Sequence, residues 1–515
     1  MVQVKQVDVN EIQVQTVDAN ELQTVSEPPE QVSTRAIPLE SKMTIGDKLN
    51  VSQREELRAL LHRYDDVFSQ HEETLACDKV EHRIILLDDK PVKVPHRRIP
   101  PHRWKEVRDH LQQLLSRQII RESSSPYASP VVLVRKKDNS LRMCVDYRAL
   151  NAKTHRDAYP IPRIEEALDA LKGANYFCSL DLAHGYHQVP VSESDIEKTA
   201  FRVGTGGLYE FTRMPFGLTN APATFMRLMD KVFGDENFQT VLIYLDDILV
   251  FGRTFQETQQ RLEMVLSRLR SYNLKVKPEK CYLYEERLRY LGHIVSKDGI
   301  LPDPEKTRAI QNWKRPETER ELRSFMGLAS YYRRFVANFA KIAAPLHALT
   351  GGQRCKAKRP HNPTRSVADR WEAKHEEAFR ELKSKLTTAP VLGYPDFQRP
   401  YILEVDASLL GFGAVLSQQQ ETGRVVIAYA SRGLKLDEKQ MSNYSSMKLE
   451  LMALHWAITV KFRDLLLGAE FVVYTDNNPL SYLKTSAKLG AVETRWAAEL
   501  SQFHFDIAYR SGSPM

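Results

Sequence analysis

The stretch Tyr244-Leu245-Asp246-Asp247 limits what this chain can fold into more than any other. Two adjacent carboxylates interrupt an apolar run, with Val241-Leu242-Ile243 before them and Ile248-Leu249-Val250-Phe251 after. Each run has the length and composition of a short buried strand. Charge inside a buried strand is costly unless something pairs with it. The economical solution is a tight hairpin with both acids at its tip, facing a cation. Nothing basic follows before Arg253, so the expected cation is a metal ion. Carboxylate oxygens are hard ligands that suit Mg²⁺ and its phosphate partners. A polar hairpin turn is the alternative, because Asp is common in turns.

The length of 515 residues leaves room for about two to four domains. A composition of 42% apolar and 27% charged residues is that of a globular protein. The net charge of +7 is unevenly spread. Residues 1–45 hold three basic residues (Lys5, Arg35, Lys42) and seven acidic ones (Asp8, Glu11, Asp18, Glu21, Glu27, Glu30, Glu40), a net of −4 that leaves +11 for the remainder. A mildly basic body fits a polyanionic partner. Cys77, Cys144, Cys178, Cys281 and Cys355 form no C-x-x-C pair, so no zinc site of the usual spacing is visible. Free thiols point to a reducing compartment. No run of eighteen apolar residues and no N-terminal signal core occur. The expectation is an intracellular protein without a membrane partner.

Composition predicts a disordered tether over 1–45. Helical spacing follows at Leu57, Leu60, Leu61, Tyr64, Val67 and Phe68, and again at Trp104, Val107, Leu111 and Leu114. Strand-like runs and short helices alternate from Pro130 to Ser296, as in a mixed sheet. Residues 300–350 read as helical, with Leu322, Phe325, Met326, Ala329 and Tyr332 on one stripe. Arg354, Lys356, Lys358, Arg359 and Arg365 mark a basic linker. From Tyr401 a new αβ unit begins.

A third acid lies at a similar boundary. Asp181 closes the strand-like Phe177-Cys178-Ser179-Leu180. If both strands join one sheet, Asp181 and Asp246 can face each other and hold two cations, the arrangement used for in-line phosphoryl transfer. Upstream, Arg135-Lys136-Lys137 and Leu141-Arg142 bracket a turn at Asp138-Asn139-Ser140. A hairpin there would point cations at a triphosphate, although a solvated basic hairpin is the simpler reading without the acids.

The chain resembles the reverse transcriptases of long-terminal-repeat retroelements, specifically the Ty3/Gypsy group. The resemblance rests on LRMCVDYRALN (Leu141 to Asn151), FCSLDLAHGYHQVPV (Phe177 to Val191), FTRMPFGLTNAPATF (Phe211 to Phe225), YLDDILV (Tyr244 to Val250), LKVKPEKC (Leu274 to Cys281) and YLGHIVS (Tyr290 to Ser296), in family order. It covers roughly residues 50 to 515. It implies an α+β multidomain fold: a right-hand polymerase with fingers and palm over 46–296, a helical thumb and basic linker over 297–370, and a ribonuclease H-like α/β domain over 371–515. It also implies roles. Asp181 and Asp246 would be the main ligands of Mg²⁺ (Mn²⁺ being the alternative), with Asp247 completing the carboxylate cluster. Lys136 and Arg142 would hold the phosphates of an incoming dNTP. Tyr186 would sit under its sugar as a steric gate, and Phe216 and Gly217 would line the nucleotide and template pocket. Tyr290-Leu291-Gly292-His293 would grip the primer end. The partners implied are an RNA template, a DNA primer and an RNA–DNA hybrid.

In the C-terminal unit, Asp406 ends a strand, Glu450 lies in a helix-like stretch and Asp476 closes Phe471 to Thr475. Together they resemble the metal-binding acids of the family's ribonuclease H domain, whose reaction is hydrolysis of RNA in a hybrid. The family's fourth metal-binding Asp would follow the strand Phe505 to Tyr509, where this sequence ends, so the expectation is weak or no RNA cleavage. No protease motif precedes residue 50 and no integrase zinc motif follows, so those activities are expected on other segments of a polyprotein. A cytoplasmic particle or the nucleus is the expected location. The competing reading is a domesticated nucleic-acid-binding protein without catalysis; a third, an RNA-directed RNA polymerase, is disfavoured by Tyr186.

Overall fold

The computed structural model describes residues 39–69, 77, 79–135, 141–204, 206–350, 366–434, 444–476 and 490–510. The two apolar runs around Asp246 become the paired strands Val241–Tyr244 and Asp247–Gly252. They form one end of a five-stranded sheet that continues through Tyr176–Asp181, Tyr282–Glu285 and Thr44–Ile45. These strands are continuously apolar because the sheet is covered on both faces. Cys178, Leu180, Val241, Ile243, Ile248 and Val250 enter one core, and Phe177, Leu242, Leu249 and Phe251 enter another. A sheet with one wet face would alternate apolar and polar residues instead. Each such side chain contributes about 1.5–3 kcal/mol of burial, which fixes the register and with it the position of the acids.

Helices Ala221–Phe233 and Phe255–Ser271 close the first face. The second starts at Thr254, whose hydroxyl accepts the Glu257 N–H at 3.2 Å and so satisfies one orphan donor of the first turn. Helix Val51–Arg63 adds Leu57, Leu60 and Leu61 to this core, as their spacing predicts. The tether expected over 1–45 is corrected at its end. Leu39–Lys42 is a 3₁₀ turn, Met43 is buried, and Thr44–Ile45 is an edge strand. The backbone N–H groups of Thr44 and Gly46 donate to Cys281 and Leu283 carbonyls at 3.0 and 2.9 Å, using groups that an open sheet edge leaves unpaired. Residues 1–38 lie outside the described residues.

The fingers are a second five-stranded sheet, in the order Ile120–Glu122, Leu208–Phe211, Phe201–Arg202, Ser129–Arg135 and Leu141–Val145. Val107, Leu111 and Leu114 of helix Trp104–Ser116 pack on its core. A three-stranded sheet (Arg287–Tyr290, His293–Ser296, Gly299–Pro302) leads to the thumb helices Pro304–Gln311, Glu319–Tyr331 and Phe339–Leu349. The predicted stripe Leu322, Phe325, Met326, Ala329 and Tyr332 is buried. Helix Ala373–Thr387 joins the same core through Ala378, Phe379, Leu382 and Leu386, with Phe325 and Phe379 ring centres 4.7 Å apart. The basic run from Arg354 to Arg365 lies outside the described residues.

The C-terminal sheet has the order Gly423–Gly433, Gly411–Gln420, Tyr401–Ser408, Glu470–Thr475, His504–Tyr509. Its first three strands are antiparallel and its last three parallel. Helix Ser446–Trp456 packs on it through Leu449, Leu451, Met452, Ala453 and Leu454. Among the described residues no helix is long and apolar enough to cross a membrane.

Candidate active sites

The palm strands bring three acids together. Asp181 lies opposite Asp247 in the ladder between Tyr176–Asp181 and Asp247–Gly252. Asp246 sits in the turn that follows Leu245, which adopts the left-handed conformation (φ 54°). The expected partnership of Asp181 with Asp246 thus becomes a trio in which Asp247 is the direct cross-strand neighbour. Oδ1 of Asp246 is buried without a hydrogen-bond partner. Burial, then the charges of Asp247 and Asp181, push the Asp246 carboxyl up to about 6. Burial and Asp181 raise Asp247 as well.

Among the described residues, Lys280 is the cation that opposes them. Lys280 Nζ donates to both oxygens of Asp181, at 3.0 and 2.9 Å. Sequence reasoning missed this residue, although it lies within the Leu274 to Cys281 motif. Its placement depends on a zipper of main-chain bonds. Ala183 N–H donates to the Lys275 carbonyl at 2.9 Å and Lys277 N–H to the Asp181 carbonyl at 2.8 Å. Gln188 locks the zipper, donating to Ala183 and Lys275 carbonyls at 2.8 and 2.9 Å and accepting from Lys275 N–H at 2.8 Å. Gly185 was also missed. A Cβ there would lie 3.1–3.2 Å from the Asp246 carboxylate and press it back by a few tenths of an ångström.

The nucleotide-side residues form a continuous row. Tyr186 packs on Phe216 and Phe225, with ring centres 4.9 and 5.4 Å away. The Arg142 guanidinium lies 5.7 Å from the half-exposed Phe216 ring. Gly217 has φ +97°, open to glycine at little cost, and Asn151 ties the turn by donating to its carbonyl at 2.8 Å. Arg142, Phe216 and Gly217 share a cavity of about 380 Å³ with His187, whose ring is held neutral, its pKa pushed down to about 3 chiefly by burial. Strands Ser129–Arg135 and Leu141–Val145 pair as the expected basic hairpin, with Arg135 opposite Leu141. Lys136, at its tip, lies outside the described residues.

The second trio is built from strand, helix and strand. Asp406 is near the end of Tyr401–Ser408, Glu450 projects from Ser446–Trp456, and Asp476 follows Glu470–Thr475. Glu450 is 5% exposed. Its Oε1 accepts the Ala407 N–H at 3.2 Å, and its Oε2 is buried without a partner. Burial, then Asp476 and Asp406, push it up to about 8.

Residues 134–295 match the family "Reverse transcriptase (RNA-dependent DNA polymerase)", and 371–473 match "RNase H-like domain found in reverse transcriptase". The retrovirus-related Pol polyprotein from transposon 297 of Drosophila melanogaster is 37% identical over 90% of this chain and 43% of its own length. That from transposon gypsy of the same organism is 38% identical over 79% of this chain and 39% of its own length. The chain is similar to the Pol polyproteins of Ty3/Gypsy-type elements. It spans about two fifths of the length of these curated relatives. A foamy viral protease-reverse transcriptase solved in complex with an RNA/DNA hybrid superimposes with a TM-score of 0.74 at 25% identity, covering 92% of this chain and 62% of that one. The fold is therefore a reverse transcriptase followed by a ribonuclease H-like domain.

Both families depend on divalent metal ions. Among the described residues no three His, Cys, Asp or Glu side chains stand close enough for a ready-made ligand shell. Bare carboxylates repel one another, and Lys280 occupies Asp181. The donor chemistry still fits such an ion. Each trio carries a surplus of acid, and each holds one buried oxygen, Asp246 Oδ1 or Glu450 Oε2, with no partner.

Proposed function

We propose that this chain copies RNA and DNA templates into DNA at the palm trio, and hydrolyses the RNA strand of hybrids at the C-terminal trio. The observation that carries the reading is the convergence of Asp181, Asp246 and Asp247 beside the row Tyr186, Phe216 and Arg142. Asp181, Asp246 and Asp247 would hold two Mg²⁺ ions, or Mn²⁺. When bound, such ions lower the pKa of a primer 3′-hydroxyl and neutralise charge on the transferring phosphate.

The chain's own residues supply the rest. Arg142, with Lys136 as its companion, orients the phosphates of the dNTP by charge-assisted hydrogen bonds. Tyr186, backed by Phe225 and flanked by Phe216, presents a rigid aromatic wall where a ribose 2′-hydroxyl would sit. Gly185 lets Asp246 approach, and Lys280 restrains the Asp181 carboxylate. In the C-terminal domain Asp406, Glu450 and Asp476 would hold the ions for hydrolysis. Proposed partners are an RNA template, a DNA primer and their hybrid, with protease and integrase segments of a polyprotein alongside.

Primer extension on poly(rA)–oligo(dT) with Mg²⁺ tests the polymerase, with Asp246→Asn as control. Absence of extension by the wild type would favour a binding protein that has lost catalysis. Tyr186→Ala should admit ribonucleotides; continued exclusion would remove Tyr186 as the gate. Cleavage of a labelled hybrid with Mg²⁺ and with Mn²⁺ measures the second activity.

A further inference from the structure

A cavity of about 460 Å³ lies where the palm, the thumb and the ribonuclease H-like domain meet. Its size is that of a small-molecule site, and domain junctions are where such sites concentrate. It belongs to neither carboxylate trio.

Arg334, on the 3₁₀ turn Arg333–Phe335, lines this cavity. Its side chain is only 8% exposed. Its Nη2 reaches Asp169 Oδ1 at 3.5 Å, the far limit of a hydrogen bond, while Nε and Nη1 are buried with no partner. Asp169 is a weakened counter-ion, since burial pushes it up to about 6. A buried guanidinium with two N–H groups unmet is costly, and an anion beside it would lower that cost.

The neighbouring cations do not share this deficit. Arg163 pairs with Asp464 at 3.3 Å, Lys461 with Glu165 at 3.3 Å, and Lys172 with Asp396 at 2.5 Å. Arg253 is the exception. It is exposed on the cavity wall, and among the described residues its guanidinium has no hydrogen-bond or ion-pair partner. Arg253 thus faces the cavity with bonding capacity to spare, and Arg334 lines it with two N–H groups buried and unmet. Two aromatic rings line the same space: Phe397, 61% exposed, and Phe238, 38% exposed. Exposed rings beside unmet guanidinium groups are the chemistry that binds a flat base attached to a phosphate.

We propose that this junction binds a nucleotide, its phosphate on Arg334 and Arg253 and its base against Phe397 and Phe238. The nucleotide is either free in solution or the terminal unit of a strand. Occupancy would set an anion beside the Arg334 guanidinium and link three parts of the molecule at once.

The test uses the full chain in EDTA, which silences metal-dependent nucleotide binding at the two trios. Calorimetric titration with adenosine 5′-monophosphate should give saturable binding, with adenosine and inorganic phosphate each weaker. Arg253→Ser and Phe397→Ser, both at exposed positions, should each weaken the monophosphate by about tenfold, the size of one lost charge-assisted contact for the first and one lost stacking contact for the second. Arg334→Gln should abolish it; because Arg334 is buried, the two rim variants carry the test if that variant does not fold. A 5′-phosphorylated oligo(dT) that binds in the same variant-sensitive way, where the unphosphorylated oligomer does not, assigns the site to a strand end. Binding of the monophosphate but not of that oligomer assigns it to a free nucleotide. The proposal is overturned if the monophosphate does not bind, if Arg253→Ser and Phe397→Ser leave its affinity unchanged, or if a glutamate-rich peptide binds there more tightly.

Discussion

The two acidic trios solve one electrostatic problem in different ways. In the palm, Asp181 and Asp247 sit on adjacent antiparallel strands with Asp246 in the turn beside them, and Lys280 stands against Asp181 at 2.9 Å. In the C-terminal domain, the acids come from strand, helix and strand, and a single main-chain N–H at 3.2 Å answers Glu450. The outcome differs accordingly: Asp246 is pushed up to about 6 and Glu450 to about 8. Burial without an opposing cation leaves a carboxylate hungry for a proton or a metal ion, whereas a resident lysine keeps its neighbours closer to the ionised form.

The largest effects should separate the sites. Asp246→Asn should lower DNA synthesis about a thousandfold while leaving hybrid cleavage intact, and Glu450→Gln should do the reverse. Both activities, assayed on one preparation, check this; a joint loss would break the idea of two independent centres. Next comes the glycine that admits Asp246. Gly185→Ala places a methyl group 3.1–3.2 Å from the carboxylate, and extension should fall about a hundredfold with little change in melting temperature.

A smaller effect concerns stability. Glu450's folded pKa is raised, so its burial favours the protonated form. Metal-free protein should lose stability as pH rises from the unfolded carboxylate range, near 4.5, through about 8. Glu450→Gln should remove that loss, stabilising the EDTA-treated chain at pH 8 by about 1–3 kcal/mol and not at pH 4.5. Thermal melts at the two pH values measure it, and equal shifts at both would sink the electrostatic cause. The smallest effect tests Lys280. Lys280→Met removes the cation that opposes the palm acids, so the acidic limb of the extension rate should move to higher pH, by about one unit or less.

Much of the palm was legible because its signal was local. Val241 to Phe251 spelled two strands and a charged tip, and the two-faced core explains why no alternation appears. The helix stripes ending at Leu114 and Tyr332 were equally plain. What escaped notice is set by contacts between distant segments. Lys280 reaches Asp181 only through bonds joining 181–183 to 275–277. Gly185 reads as an ordinary glycine until Asp246, sixty-one residues on, folds against it. Thr44–Ile45 has no strand signal of its own and borrows its conformation from the edge beside Leu283. Arg334 carries no signal of its own in the helical stretch 300–350, and its burial comes with contacts to distant segments such as Asp169.

The hairpin at Tyr290 to His293 carries a mechanical consequence. Its tip residues Leu291 and Gly292 present their carbonyls to the hydroxyls of Tyr331 and Tyr332, each at 2.6 Å. His293 is enclosed by the rings of Tyr331, Tyr332 and Phe335. The hairpin is thus bolted to the end of a thumb helix thirteen residues long. A swing of that helix would carry the hairpin with it as a lever carries its load, so thumb motion and the position of whatever rests on the hairpin are a single coordinate.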